Sequence, residues 1–413
     1  MRNIAIFAHV DAGKTTVSEQ LLLHAGAIRT PGKVDDGTAH TDRLAVEKRR
    51  GISVQASNAA FQWKGEEITL IDTPGHSDFS AEVERSLWAP DGAVLVISAA
   101  EGVQPQTEVL FRALMDARIP TLLFFNKTDR EGADVPKAMA AFHRLLSRDA
   151  CLLSDSEGLM AALAEYDDRI MEDYLSGEVY PKETLYPLIR KAMAHMHLFP
   201  ALSGSALKDV GIPQLLDAIV ELLPPPEGKA DGPLCAVAFA ALQDPLLGRG
   251  VQVRLFSGTL ENRNILPYKD EQRKVTQIRL PSPDGRGKDA GRLIAGQIGT
   301  LFGLGDLPVG AVIGDSSLLP RKVNMGALRE PLIAVKAEPL SPDKAHDMRK
   351  ALQILAGEDP LLQVEYHRQT QETTLRAMGR MHLEILEETM RTRFSLPCTF
   401  SKPQLIYRET LAR

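Results

Sequence analysis

The N-terminal part of the chain repeats one pattern that strongly limits how it can fold. Short apolar runs rich in β-branched or aromatic residues occur at residues 4–8, 68–71, 93–98, 121–125 and 199–202. Polar loops and segments of helical periodicity lie between these runs, as is typical of parallel βαβ units. Five core strands with helices between them predict a doubly wound α/β sheet.

Composition excludes several classes of protein without indicating a function. The 413 residues carry a net charge of −6, with 25% charged and 44% hydrophobic side chains. The chain is too hydrophobic to be disordered and too acidic to bind nucleic acid with its whole surface, although a local basic face toward RNA is compatible with these values. Its length predicts two or three domains.

Cysteine usage and the apolar runs indicate a cytoplasmic protein. The three cysteines lie far apart and form no CxxC spacing, which favours neither a disulfide framework nor a zinc site. No stretch of the sequence reaches the roughly 18 apolar residues of a membrane span. We therefore expect a soluble protein of a reducing compartment with no membrane partner.

Changes of pattern predict the domain boundaries. Residues 130–198 become helical and mixed in charge, which predicts a helical insertion in a first domain at 1–228 that ends in a Pro-Pro-Pro linker. Residues 229–328 have short alternating segments with Gly and Pro turns, which predict a β-barrel. Residues 329–413 follow the order strand, helix, strand, strand, helix, strand, with the last strand at LIYRET, which predicts an α+β ferredoxin-like domain.

The first apolar run is followed by a candidate phosphate-binding loop, AHVDAGKTT. In such loops, backbone N–H groups and the N-terminus of the next helix surround the phosphates. Lys14 would place its charge beside the β- and γ-phosphate oxygens, and the Thr15 hydroxyl would bind Mg²⁺. An ordinary strand-to-helix turn is the alternative, but the position between a strand and a helix favours the phosphate site.

A second polar segment, Asp72-Thr73-Pro74-Gly75-His76, follows the next run of the predicted parallel sheet. An aspartate at the carboxyl end of a strand can hold Mg²⁺ through water, and Gly75 can offer its backbone N–H to a γ-phosphate. Taken alone, His76 is a surface turn residue. Beside a γ-phosphate it becomes a candidate for orienting the attacking water.

Two later segments predict selectivity for guanine. In Asn126-Lys127-Thr128-Asp129, the aspartate carboxylate can accept hydrogen bonds from the N1–H and exocyclic amine of guanine, donors that adenine lacks. Residues 203–207, SGSAL, form a loop of small residues whose backbone could close over the base. A solvated turn is the alternative for either segment alone.

The order of these segments favours one common site. All four come after the carboxyl ends of predicted strands, and in an open α/β sheet those ends meet at one crevice. Residues 35–54 lie between the first two segments and form either a basic solvated loop or a switch segment. In the second interpretation, Ser53 completes the Mg²⁺ shell only while a γ-phosphate is present. The first domain is therefore predicted to be an α/β P-loop GTPase domain.

Together, AHVDAGKTT, RRGISV, DTPGHSDF, NKTD and SGSAL resemble the translational GTPases. VRLFSGTL resembles the second domain of that family, and LAGEDPLL, MGRMHLEIL and YRET resemble elongation factor G. Within that superfamily, GAIRTPGKVDDGTAHTD and FQWKGEEITLIDTPGHSDFSAEV are most similar to the ribosomal protection proteins of tetracycline resistance. The resemblance covers essentially the whole chain.

The resemblance implies roles for individual residues. Asp11 would help to bind a monovalent cation, and Val10 and Ile52 would form a hydrophobic gate beside His76. Ser53 replaces the threonine usual in the family and keeps its hydroxyl. The implied sets are, for catalysis, His76, Lys14 and Gly75; for GTP binding, Asp11, Ala12, Gly13, Lys14, Thr15, Thr16, Asn126, Lys127, Asp129, Ser205, Ala206 and Leu207; and for metal, Thr15, Ser53 and, through water, Asp72.

The resemblance also implies an activity and partners. It implies a monomeric cytoplasmic GTPase that uses Mg²⁺, converts GTP to GDP and phosphate, and is stimulated by ribosomal RNA and proteins. A ribosomal protection protein is the preferred interpretation; an elongation factor G-type translocase and a non-hydrolysing GTP-binding module are the alternatives. The family has two further C-terminal domains, and since this chain ends at Arg413 we expect a fragment or a shortened gene product.

Overall fold

The computed structural model shows three successive sheet-containing units. It describes residues 1–32, 57–75, 80–178, 180–244, 246–268, 271–305, 307–320, 323, 331, 333–359, 361–402 and 404–405. The first unit contains a seven-stranded sheet of order β2-β3-β1-β4-β5-β7-β6, in which β2 pairs antiparallel with β3 and the other neighbours pair in parallel. Its strands are β1 (Arg2–Ala8), β2 (Ser57–Trp63), β3 (Glu66–Asp72), β4 (Gly92–Ser98), β5 (Thr121–Asn126), β6 (Ala150–Leu152) and β7 (Phe199–Ser203).

Helices cover both faces of this sheet. Successive residues of β1 point to opposite faces, so that Ile4 and Ile6 belong to one hydrophobic cluster while Ala5 and Phe7 belong to another. Burial on both faces explains why the strands are continuous apolar runs rather than alternating ones. The helices are α1 (Lys14–His24), α2 (Ser80–Ser86), α3 (Pro105–Asp116), α4 (Val135–Leu145), α5 (Ser156–Ala164), α6 (Asp168–Leu175), α7 (Lys182–Ala194) and α8 (Ile212–Leu222).

The region predicted as a helical insertion contains α4 to α7 and also a strand. β6 lies inside it and pairs in parallel with β7 at the edge of the main sheet, with Ala150 opposite Phe199. This strand could not be predicted from the sequence, because three residues are too few to show a periodicity.

The second unit is built mainly of antiparallel strands. Its largest sheet has the order β14-β13-β16-β9-β8-β17, and β10 pairs with β15 and β11 with β12 in two smaller ribbons. The strands are β8 (Cys235–Asp244), β9 (Gly248–Ser257), β10 (Thr259–Glu261), β11 (Ile265–Tyr268), β12 (Glu271–Lys274), β13 (Gln277–Leu280), β14 (Lys288–Asp289), β15 (Arg292–Ile294), β16 (Ile298–Phe302) and β17 (Val312–Gly314).

An apolar cluster and a buried ion pair join the first two units. Phe239 and Phe256 of the second unit belong to the same hydrophobic cluster as Leu87 and Trp88 of the first. Arg254, which is only 1% exposed, reaches from β9 to the Asp91 carboxylate at 2.8 Å.

The ion pair belongs to a larger buried network. Arg254 also donates to the carbonyl of Gly296 at 2.6 Å, and the side-chain amide of Asn3 donates both to that carbonyl and to Asp91. The start of β1 is therefore tied directly to the second unit.

The third unit has a mixed α/β order. In its sheet, β19-β20-β18-β21, β20 lies between β18 and β19 and is antiparallel to both, while β21 and β22 pair antiparallel with β18. Its elements are β18 (Ile333–Pro339), α9 (Ala345–Glu358), β19 (Gln363–His367), β20 (Glu372–Ala377), α10 (Arg380–Thr392), β21 (Cys398–Phe400) and β22 (Gln404–Leu405).

The end of this unit contains a strand that the sequence did not predict, β21 at Cys398–Phe400, which follows α10. The predicted last strand, LIYRET, starts at the end of β22, and its other residues lie outside the described ones. Only Leu405 of the predicted strand is described, where it ends β22 opposite Ile333. Pro397 and Pro403 flank a run too short to be identified as a strand from periodicity. Among the described residues, no helix has the length and apolar character needed to cross a membrane.

The buried pair between the first two units predicts a large effect on stability. Arg254→Ala removes the buried guanidinium that pairs with Asp91 and donates to the Gly296 carbonyl, and we expect a loss of about 3–5 kcal/mol in the free energy of unfolding. Urea denaturation measures this value. Arg112→Ala, which breaks an exposed pair with Glu108 inside α3, is the control and should cost less than about 0.5 kcal/mol. Equal losses in the two variants would contradict the prediction.

Candidate functional site

The parallel strands bring the predicted motifs to one end of the first sheet, where the strands have their carboxyl ends. The loops after β1, β3, β5 and β7 all leave from the carboxyl ends of their strands, and paired residues such as Ile6 with Asp72, or Phe125 with Ser203, place those ends side by side. The contacts between these loops decide which side chains lie together.

The loop after β1 has the backbone of an anion-binding turn. Asp11 and Gly13 both have positive φ angles, of 62° and 92°, and α1 begins immediately afterwards at Lys14. The free backbone N–H groups of the first helical turn therefore face the loop. A Cβ atom on Gly13 would lie 2.4 Å from Nδ2 of Asn126, so only glycine fits this position.

Asn126 connects three of the loops through its side-chain amide. Its Nδ2 donates to the carbonyl of Ala12 at 2.9 Å, and its Oδ1 accepts from the backbone N–H of Ala206 at 2.9 Å. Asn126 is 2% exposed and Ala206 is 1% exposed. In this structure Asn126 therefore orders the loops around the site.

Asp72 lies buried beside the phosphate-binding loop. Its Oδ1 accepts hydrogen bonds from Nζ of Lys14 at 2.7 Å and from the hydroxyl of Ser18 at 3.0 Å. Among the described residues, Oδ2 of Asp72 is buried and has no hydrogen-bond partner. A buried carboxylate oxygen near the hydroxyl-bearing start of α1 fits the hard oxygen ligands that Mg²⁺ prefers, either directly or through water.

The predicted base-binding residues also come together. The Ser205 hydroxyl donates to Oδ1 of Asp129 at 2.5 Å and accepts from the backbone N–H of Lys208 at 3.1 Å. Lys127 has a positive φ of 65°, and the N–H of Thr128 donates to the carbonyl of Gly204. Asp129 itself is exposed. The predicted selectivity for guanine therefore requires a base that covers this carboxylate.

The remaining predicted residues are placed as follows. Thr15 is buried and Thr16 half-buried in the first turns of α1, while Val10 is 41% exposed and Leu207 is 73% exposed at the rim. Gly75 lies close to the first loop, since Gln106 of α3 donates to its carbonyl and accepts from the N–H of Val10. His76, Ile52 and Ser53 lie outside the described residues.

Behind the first loop lies a polar cluster that was not predicted from the sequence. His9 is 4% exposed, its Nδ1 lies 3.0 Å from the Thr107 hydroxyl, and its Nε2 lies 3.4 Å from a carboxylate oxygen of Glu101. Glu101 also lies within 3.6 Å of Lys127 and 3.5 Å of Arg130. Glu101 thus connects the phosphate loop to the base-binding loop. Its position after β4, at the same sheet edge, was the available signal.

Comparison with known proteins agrees with this geometry. The family profile described as the Elongation factor Tu GTP binding domain matches residues 1–225, and the profile for Elongation Factor G, domain III, matches residues 328–402. Elongation factor G from Neorickettsia sennetsu is 33% identical over 100% of this chain and 69% of its own length. The chain belongs to the elongation factor G family.

Other relatives of this elongation factor G family chain are tetracycline resistance proteins. TetW of Butyrivibrio fibrisolvens is 36% identical over 98% of the chain, and TetP of Clostridium perfringens is 35% identical over 99%. The chain spans 65% of the length of each of these two proteins. A crystal structure of a protein from Thermus thermophilus superimposes with a TM-score of 0.86, at 25% identity, over 98% of this chain and 67% of that one.

The burial of His9 predicts a measurable dependence on pH. Burial lowers the pKa of His9 below 6.5, while the nearby Glu101 carboxylate acts in the opposite direction. Glu101→Gln removes that opposing charge and should lower the pKa of His9 further, as NMR titration of the ring protons would show. Glu157→Gln, which changes an exposed residue in the first turn of α5, should leave the pKa of His9 unchanged. A higher pKa of His9 in Glu101→Gln would contradict this account.

The sign of the effect on stability follows from linkage. The unfolded chain binds a proton on this imidazole below about pH 6.5 and the folded chain binds it only at lower pH. The contribution of His9 to stability is therefore complete above that pH and falls as the pH drops toward the folded-state pKa.

Proposed function

We propose that the chain binds guanine nucleotides and hydrolyses GTP to GDP and phosphate in a reaction that the ribosome stimulates. The observation that carries this proposal is the meeting of Lys14, Asp72, Asn126 and Asp129 at one sheet edge, with direct contacts between their loops. Membership of the elongation factor G family supports the same activity.

The base-binding half of the site accounts for guanine selectivity. One oxygen of Asp129 is fixed by the Ser205 hydroxyl, which orients the carboxylate toward a base lying over the loop. The carboxylate can then accept from the two adjacent donors of guanine. The backbone of Ala206, which Asn126 holds, and the exposed Leu207 side chain complete the rim.

The phosphate half of the site accounts for charge neutralisation. The free N–H groups at the start of α1 and the ammonium group of Lys14 would bind the phosphates, with Asp11 beside a monovalent cation. Thr15, Ser53 and Asp72 would hold Mg²⁺, with Asp72 acting through water. When bound, Mg²⁺ would neutralise the charge that develops on the phosphate oxygens.

Hydrolysis is assigned to the segment after β3. His76 would orient the attacking water, Gly75 would hold the γ-phosphate through its N–H, and Val10 with Ile52 would form an apolar gate beside the histidine. Val10 and Gly75 share the side chain of Gln106, which supports their cooperation.

The finer assignment is a tetracycline-resistance ribosomal protection protein. The identities of 36% to TetW and 35% to TetP support this assignment. An elongation factor G-type translocase is the second candidate, since elongation factor G from Neorickettsia sennetsu is 33% identical. A non-hydrolysing module that docks on the ribosome is the third. Phosphate release with and without ribosomes separates the third from the first two.

The architecture that we propose has three domains. Residues 1–228 form the GTPase domain, 229–328 a β-barrel like the second domain of translation factors, and 329–413 a ferredoxin-like domain. The position of β20 between the parallel strands β18 and β19 supports the last assignment. We propose a cytoplasmic monomer with ribosomal RNA and ribosomal proteins as partners.

Guanine selectivity is tested by changing the acceptor on Asp129. Asp129→Asn replaces one acceptor oxygen by a donor that matches xanthine better than guanine. We expect the ratio of GTP to XTP affinity to fall about 10- to 100-fold, in line with the loss of a hydrogen bond to a charged group. Nucleotide titrations measure this ratio. Asp217→Asn, on α8 away from the site, is the control, and an unchanged ratio in Asp129→Asn would overturn the assignment.

The hydrolytic role of His76 is tested separately from binding. His76→Ala should leave GTP affinity nearly unchanged and lower ribosome-stimulated phosphate release by roughly 10²- to 10⁴-fold, as is typical for loss of a group that activates water. His195→Ala, which removes an exposed histidine of the helical region, should retain full turnover. Lower affinity with normal turnover of bound GTP would make His76 a structural residue.

A further inference from the structure

Ser18 is a fully buried polar residue that the proposed mechanism does not yet use. It lies one helical turn after Lys14 in α1, so the two side chains share one face of the helix. Both donate to the same oxygen of Asp72, Lys14 at 2.7 Å and Ser18 at 3.0 Å. Ser18 is 0% exposed and Asp72 is 1% exposed.

These contacts determine which carboxylate oxygen is available. Oδ1 of Asp72 accepts from both donors, whereas Oδ2 is buried and, within the described residues, accepts from none. A buried carboxylate oxygen without a partner is costly, so this oxygen points to a ligand or a water. The torsion that turns a carboxylate about its axis is broad, and a fixed donor is what selects one orientation.

We propose that Ser18 is a positioning residue for Mg²⁺: its hydroxyl fixes Oδ1 of Asp72 and so presents Oδ2 to the water shell of the ion. This inference rests on the proposed function. Once Lys14 binds the phosphates, Ser18 is the donor among the described residues that still holds Oδ1. The role resembles that of the outer hydrogen-bond partners that orient the ligands of other protein metal sites.

The test measures how strongly bound nucleotide depends on Mg²⁺. We expect Ser18→Ala to raise the Mg²⁺ concentration that half-maximally slows dissociation of a fluorescent GDP by about 10- to 100-fold. In EDTA, without Mg²⁺, GDP affinity should stay within about 2-fold of the parent. Ser18→Thr keeps the hydroxyl and should restore the Mg²⁺ response. If Ser18→Ala does not fold, the same measurement is made on Ser18→Cys. Its thiol has a similar shape but is only a weak donor, so this variant should also raise the Mg²⁺ requirement.

Thr121→Val is the matched control. Thr121 is also buried and its hydroxyl donates to the carbonyl of Ile119. It lies at the start of β5, at the end of the strand away from the candidate site. This variant should keep the parental Mg²⁺ requirement. An unchanged requirement in Ser18→Ala, or an equal loss of GDP affinity with and without Mg²⁺, would overturn the positioning role. A parent protein that binds no GDP at all would instead overturn the proposed function.

Discussion

The arrangement of the candidate site depends on the side-chain amide of Asn126. A single buried group donates to the carbonyl of the phosphate loop and accepts from the N–H of the loop after β7. Each such bond contributes only about 1 kcal/mol net, but a buried partner left unsatisfied costs about 1–3 kcal/mol. The same side chain leaves no space for a Cβ on Gly13, since Nδ2 of Asn126 would lie 2.4 Å from it. Without Asn126, the two halves of the site would lose this buried link, and the contacts of Glu101 with His9 and Lys127 would remain among the described residues.

Much of the first unit can be predicted from the sequence for a clear physical reason. Strands that are buried on both faces must be apolar throughout, so the runs at β1, β3, β4, β5 and β7 stand out from their surroundings. Parallel pairing then places the polar segments that follow these strands side by side, at the carboxyl ends of the strands. Lys14, Asp72, Asn126 and Ser205 are predicted in this way, since each lies at or soon after the carboxyl end of an apolar run.

What the sequence did not predict arises from contacts between distant segments. Glu101 reaches His9 and Lys127 from a loop that carries no recognised motif, and Arg254 meets Asp91 across 163 positions. Ser18 differs from these. Its helical spacing from Lys14 can be read from the sequence, but its hydrogen bond to Asp72 cannot. The exposure of Asp129 could not be predicted either, since burial depends on how neighbouring loops close.

The interface between the first two units has a mechanical consequence. Phe239 and Phe256 share a core with Leu87 and Trp88, and Arg254 inserts its charge between Asp91 and the Gly296 carbonyl. Sliding one unit along the other would expose apolar surface to water and leave the buried guanidinium of Arg254 without Asp91, so that even a small movement is costly. We therefore expect the two units to move together. A displacement that starts in the loops of the candidate site should be passed on to the second unit rather than absorbed at the junction.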